Sequence, residues 1–577
     1  MRAAPASKLF CLHLVFTSTT YVAAIQNFVV PWSTKKYGPD GPWQAVIITA
    51  GGNETGPPIR SQNTSDLSVY PGGSYESMTF AAWACEEYPD TLCGVGGTWN
   101  PDPYQVDQQP ISWPANWTDE STGIHVEQAK HVVLAITINE RTAYNASLAS
   151  ASYGNVSYPN GKVGGMPLGT LALGADKTVQ EFGQNPNNVS EKINAYTFAG
   201  WLYDNQITPS YSYGLHIGSA AFNYPGSLVF GGYDKGRVIE PVTAFLTEKA
   251  VQLIDISIGV ASGGSPFNFT SKTKLLSTGQ ISIWPDPLAP YLSLPRETCD
   301  NLASVLPITF DEDLGYYLWD TDDPTFAKIV SSPSYLGFTF PPTAGAAENV
   351  VIKVPFALLN LTLEAPITDT PKQYFPCVPT KFENKLGRAF LQAAFIGRNW
   401  NTKTSWLAQA PGPGPARQGL GEGQQVDIAN DATMIEGFKG DDTFFNSWKR
   451  EWSLLASQGG GRNVSQSGGD GNNSASSGLS TGVKAGIGVS AALGAIALLA
   501  ALIFCLKRSS KNKASQLNQH EAGVQHTTYN KNEKTPTEHC AYEAHNGRNN
   551  SEPTAELPCT RQYPVELDDT TIRSSRH

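Results

Sequence analysis

Short apolar stretches separated by turn-forming clusters run along residues 26–408. Trp43–Thr49 (WQAVIIT), Val132–Ile138 (VVLAITI), Gly226–Phe230 (GSLVF) and Val350–Phe356 (VVIKVPF) are rich in β-branched and aromatic side chains. GPDGP, NPDP, YPNG and PPTAG punctuate the same region with Gly, Pro, Asn and Asp. Such runs suit pleated, half-buried strands, and such clusters suit tight turns, so the pattern predicts an all-β body. Long amphipathic helices are scarce. The best candidates for short ones are Glu297–Ser304 and Gly387–Ala394.

The pattern changes at both ends. Residues 1–24 combine Arg2 and Lys8 with a short apolar run, Leu9–Phe16, and the small residues Val22-Ala23-Ala24, the layout of a secretory signal peptide. From Pro411 the chain becomes rich in Gly, Pro and Ser, and 409–484 reads as a flexible stalk. Within it Asp441–Leu455 (DDTFFNSWKREWSLL) is more aromatic, which suits a short helix or a segment that docks back. Ala485–Leu506 is uncharged and long enough to span a bilayer as one helix, and Lys507, Arg508, Lys511 and Lys513 follow it. A single-pass cell-membrane protein is expected, with an extracellular N-terminal ectodomain and a disordered cytoplasmic tail over 507–577.

Composition narrows the function. Against 51 Asp+Glu stand 40 Lys+Arg, a net charge of −11, which argues against nucleic acid as a partner. Of the eight cysteines, Cys85, Cys93, Cys299 and Cys377 lie in the expected ectodomain. Four cysteines allow three pairings, of which Cys85–Cys93 with Cys299–Cys377 is the most local. There is no CxxC and no paired His spacing, so no metal or other cofactor is expected. Glycosylation sequons at Asn53, Asn63, Asn116, Asn145, Asn155, Asn188, Asn268, Asn360, Asn463 and Asn472 crowd the segment before the apolar helix. Walker and HExxH motifs are absent, and the GxSxG string Gly478–Gly482 (GLSTG) lies in the Gly/Ser-rich stretch with no strand pattern before it, so no nucleophile elbow is expected.

Three segments carry a family resemblance. Tyr211–Val238 (YSYGLHIGSAAFNYPGSLVFGGYDKGRV) resembles the mid-chain strands of pepsin-like aspartic peptidases, especially fungal secreted or membrane-anchored members. Leu386–Leu407 (LGRAFLQAAFIGRNWNTKTSWL) is similar to that family's final strand-helix-strand segment. Ser293-Leu294-Pro295 before Cys299, with Cys377 later, resembles the second-lobe disulfide loop, and Cys85–Cys93 sits where the first-lobe disulfide would be. The resemblance implies a bilobal all-β pepsin-like fold over 25–408, with a first lobe of about 25–235 and a second of about 236–408. It also implies a peptide-binding cleft with one Asp-Thr/Ser-Gly loop from each lobe on its floor. Two carboxylates sharing a proton divide the acid and base roles.

The chain departs from that pattern at both loops. Aligning Leu67–Glu76 with the first loop puts Tyr70 at the aspartate position, Pro71 at the Thr and keeps Gly72. Aligning Ile281–Pro295 with the second keeps Asp286 but puts Pro287 and Leu288 in place of Thr/Ser-Gly. A phenol with a pKa near ~10 is no base at acidic pH. Tyr158-Pro159-Asn160-Gly161 resembles the flap hairpin whose Tyr closes over substrate. The fold is expected to start by Tyr37–Trp43, which leaves little room for a basic prosegment. The expected function is therefore a non-catalytic or weakly active module binding an extended peptide or protein ligand. One alternative is an active acid endopeptidase drawing a second carboxyl from Asp66 or Glu76. Another is a structural cell-surface glycoprotein.

Overall fold

The computed structural model describes residues 25–51, 65–72, 76–86, 88, 92–99, 112–119, 122–182, 192–343, 348–414, 423–440 and 443–456. Strands dominate and helices are few and short, so the protein is all-β. The longest ribbon shows why. Ile124–Ile138 and Arg141–Ser157 pair antiparallel, with Ile138 opposite Arg141. The two residues between them, Asn139 and Glu140, have φ of 42° and 65°, a primed two-residue turn whose twist matches the strands. Val132, Leu134, Ile136 and Ile138 alternate along the first strand, and all four are buried.

One five-strand arrangement occurs twice. In the first half, Arg141–Ser157, Ser77–Phe80, Gly169–Leu171, Ser65–Pro71 and Val46–Ala50 lie side by side in that order. Their contacts alternate parallel, antiparallel, parallel, antiparallel. In the second half Cys377–Pro379, Leu292–Leu294, Lys385–Leu386, Ile281–Pro285 and Val251–Leu253 repeat both the order and the senses. In each unit the strand latest in sequence slips between the second and third. The loop that leaves the second strand is thereby held beside that late strand.

A six-stranded sheet joins strands from both halves of the folded body. Its order is Phe28–Val30, Ser227–Phe230, Ser212–His216, Ala394–Asn399, Thr404–Gln409 and Ile239–Leu246. Both disulfides form as the most local pairing anticipates, Cys85–Cys93 and Cys299–Cys377. The second ties a short helix, Arg296–Ala303, to the strand Cys377–Pro379. The other expected helix is shorter than its sequence pattern, Arg388–Leu391.

Two expectations need correction. The described part of 409–484 is not a flexible stalk. Gln425–Asp427 adds to the strand Gly232–Asp234, and Ile428 and Ile435 pack with Phe395 and Trp406. The helix Thr443–Trp448 buries Trp448 so closely that a Cβ on Gly412 would lie 2.6 Å from its ring. Composition misleads here because a few large apolar side chains spaced among Gly and Pro suffice to dock a segment. The folded body runs to Ala456 rather than 408. The second correction is Asn155, whose amide is buried and donates to the Tyr88 hydroxyl instead of facing solvent. Asn116, Asn145 and Asn268 are exposed, and Asn360 is half-buried. The sequons at Asn53, Asn63, Asn188, Asn463 and Asn472 lie outside the described residues. So do the expected signal peptide, the 485–506 helix and the tail. Among the described residues no helix is long and apolar enough to cross a membrane.

Candidate functional site

The two loops implicated by the sequence meet. Gly72, just past Ser65–Pro71, has φ of +120°, and a Cβ added there would lie 2.5 Å from Cγ of Pro287. Strand register shows which residues correspond. Pro71 pairs with Leu171, and Gly72 N–H donates to Leu171 O at 2.9 Å. Pro285 pairs with Leu386, and Asp286 N–H donates to Leu386 O at 3.1 Å. The counterpart of Asp286 is therefore Gly72, and the counterpart of Tyr70 is Trp284. The expectation that Tyr70 stands opposite Asp286 is corrected by two residues. A two-residue slip keeps every side chain on the same face of a strand, so the apolar pattern could not expose it.

Asp286 is not poised as a catalytic acid. Its carboxylate accepts the Leu288 N–H at 2.9 Å and pairs with Lys385 Nζ at 2.9 Å, with side chains only 19% and 12% exposed. Burial pushes the Asp286 pKa up, but Lys385 and the Leu288 and Ala289 amides outweigh it and leave the group below the ordinary carboxylate value. Burial likewise pushes Lys385 down, and the carboxylates of Asp286 and Asp119 more than reverse it. The pair is held ionised. The two spare carboxyls considered for a dyad are engaged elsewhere: Asp66 accepts from Thr49 Oγ1, and Glu76 binds His131 and Ser147. Among the described residues no cluster of His, Cys, Asp and Glu could hold a metal ion.

Beside the loops opens a cavity of ≈ 530 Å³ with walls from both halves of the chain. Tyr158 lines it, at the end of a hairpin whose turn is closed by Gly161 N–H donating to Tyr158 O, with Gly161 at φ +75°. Asn160 Nδ2 reaches across to Ile367 O at 3.3 Å, so this hairpin touches the second half. A second hairpin end, Thr122–His125, also lines the cavity, and sequence reasoning did not single it out.

The cavity floor holds polar residues the sequence reading passed over. Asp40, read as part of a turn, is buried and accepts from Trp43 Nε1 at 2.8 Å. Arg388, read as the start of a helix, is also buried and sits over the rings of Tyr70 (4.2 Å) and Trp43 (5.0 Å). Tyr70 lies beneath it with its hydroxyl unpartnered, and burial pushes that phenol well above its ordinary pKa, so it stays protonated. Tyr291 and Tyr316 share a hydroxyl hydrogen bond of 2.8 Å, and Tyr374 donates to the Asp40 carbonyl at 2.6 Å. A Tyr-rich patch of this kind has no period or motif. Its members come from positions 40 to 388, and only folding gathers them.

No family model matches the chain, and no curated protein matches it.

Proposed function

We propose that the chain is a cell-surface module of the pepsin-like aspartic peptidase type that has lost proteolysis and binds extended peptides between its two halves. The observation that carries this reading is the state of the one surviving acidic group. Asp286 forms an ion pair with Lys385, and its counterpart across the site is Gly72. Peptide hydrolysis by this chemistry needs one carboxyl protonated and one ionised on a shared water. A lysine-bound carboxylate facing a glycine supplies neither half. The duplicated five-strand unit supports the bilobal scaffold, and the closeness of Gly72 to Pro287 supports its two loops as floor elements. The open cavity favours binding over a purely structural glycoprotein, for which a filled cleft would serve as well. The apolar run 485–506 is proposed as the membrane anchor.

The test is an assay of the full-length chain on denatured protein at roughly pH 3–6, where this chemistry operates. No cleavage is expected. Pepstatin-sensitive cleavage that Asp286→Ala abolishes would overturn the reading.

A further inference from the structure

We infer that the cavity recognises a carboxylate on its peptide ligand, with Arg388 as the cationic anchor and the Tyr70 hydroxyl as a second donor. This deepens the peptide-binding reading and rests on it. Arg388 and Tyr70 are each 6% exposed, and both line the cavity. Arg388 spends Nη1 on Leu288 O at 2.6 Å, but its Nε has no hydrogen-bond partner, and no ion pair among the described residues includes it. The Tyr70 hydroxyl is unpartnered as well, and the centroid of its ring lies 4.2 Å from Arg388 Cζ. Each orphan is costly alone: a buried guanidinium wants a carboxylate, and a buried hydroxyl wants an acceptor. Stacking on Trp43 and Tyr70 offsets only part of that cost. Both atoms are covered in this structure, so an oxygen-bearing anion in the cavity reaches them as the side chains over them shift; one that does so answers both donors at once, and the planar guanidinium fork suits a carboxylate.

The neighbouring charges select the anion. Asp40 lines the same cavity, held by Trp43 Nε1, and its negative charge disfavours a dianion such as phosphate. Arg296 also lines the cavity but is committed to Asp300 at 3.1 Å and lies over Phe310. The apolar walls contributed by Tyr291, Leu168 and Phe310 give room for a side chain next to the carboxylate. Two sources share this chemistry, an acidic side chain and a free C-terminus.

The experiment passes mixed hexapeptides over the detergent-solubilised, immobilised full-length chain and identifies the retained fraction by mass spectrometry. Four mixtures separate the sources: acid-containing or acid-free, each with a free or an amidated C-terminus. Retention of the acid-free, free-terminus mixture assigns the C-terminal carboxylate; retention of the acid-containing, amidated mixture assigns a side chain. Either supports the inference if Arg388→Gln lowers retention by about tenfold or more, the loss typical of a charge-assisted hydrogen bond. Arg388→Lys should restore part of it. Should Arg388→Gln fail to fold by thermal melting, Tyr70→Phe decides, with a loss of about tenfold expected from one hydrogen bond to a charged acceptor. Equal retention of the acid-free, amidated mixture overturns the inference and leaves peptide binding standing. Retention of no mixture overturns both.

Discussion

Gly72 is the residue on which the geometry of the site turns. Its φ of +120° suits glycine, and Pro287 fills the space a Cβ would need. Gly72→Ala should therefore destabilise by about 1–3 kcal/mol in urea unfolding, and Gly72→Asp by at least as much. Restoring a dyad thus requires changing Pro287 too. The Asp286–Lys385 pair makes a second prediction. Lys385→Met strands a mostly buried carboxylate and should cost about 3 kcal/mol at neutral pH, whereas Asp286→Leu with Lys385→Met should lie close to the unaltered chain. A double-mutant cycle measures the coupling. Since the folded Asp286 pKa is depressed, the pair's contribution is present above the unfolded carboxylate range and is lost as pH falls through the folded value. At this scale the sequence was legible for Asp286 and its neighbour Pro287. The pairing with Lys385, 99 residues away, was not, because no local pattern links them.

Among the elements, the strap formed by residues 423–456 departs most from its sequence pattern. Gly/Pro-rich composition reads as a spacer, yet Trp448 stacks on Trp452, meets Phe222 edge-on and covers Gly412. Trp448→Ala should cost about 3–5 kcal/mol, as removal of a buried aromatic does, and should expose 423–456 to limited proteolysis before the rest of the body. Unchanged stability would mean the strap is not part of the folded unit. The short strands of the body were far easier to anticipate. Val132–Ile138 carries its alternation and its turn in one stretch, so local rules suffice. The strap's partners are up to 226 residues distant, and nothing within the segment names them.

At the scale of the whole molecule, the buried polar groups set a pH response. His216 is fully buried in the six-stranded sheet. Its Nε2–H donates to Gln392 O at 2.9 Å, its Nδ1 faces Arg237 Nη1 at 3.4 Å, and Tyr224 packs edge-on against it. Burial first, then Arg237, pushes its pKa down to about 3. The unfolded chain takes up this proton near ~6.5, so stability should fall as pH drops from there toward 3, and His216→Gln should flatten that slope in urea titrations. The all-β class could be read from the sequence, since alternation and turn residues are local properties that survive without a fold; cysteine spacing favoured the two observed disulfides but left three pairings open. Which residue faces Asp286, which cation neutralises it, and which donors line the cavity were decided only when strands distant in sequence were laid side by side. Register and burial are properties of pairs of segments, and a linear pattern specifies each segment alone.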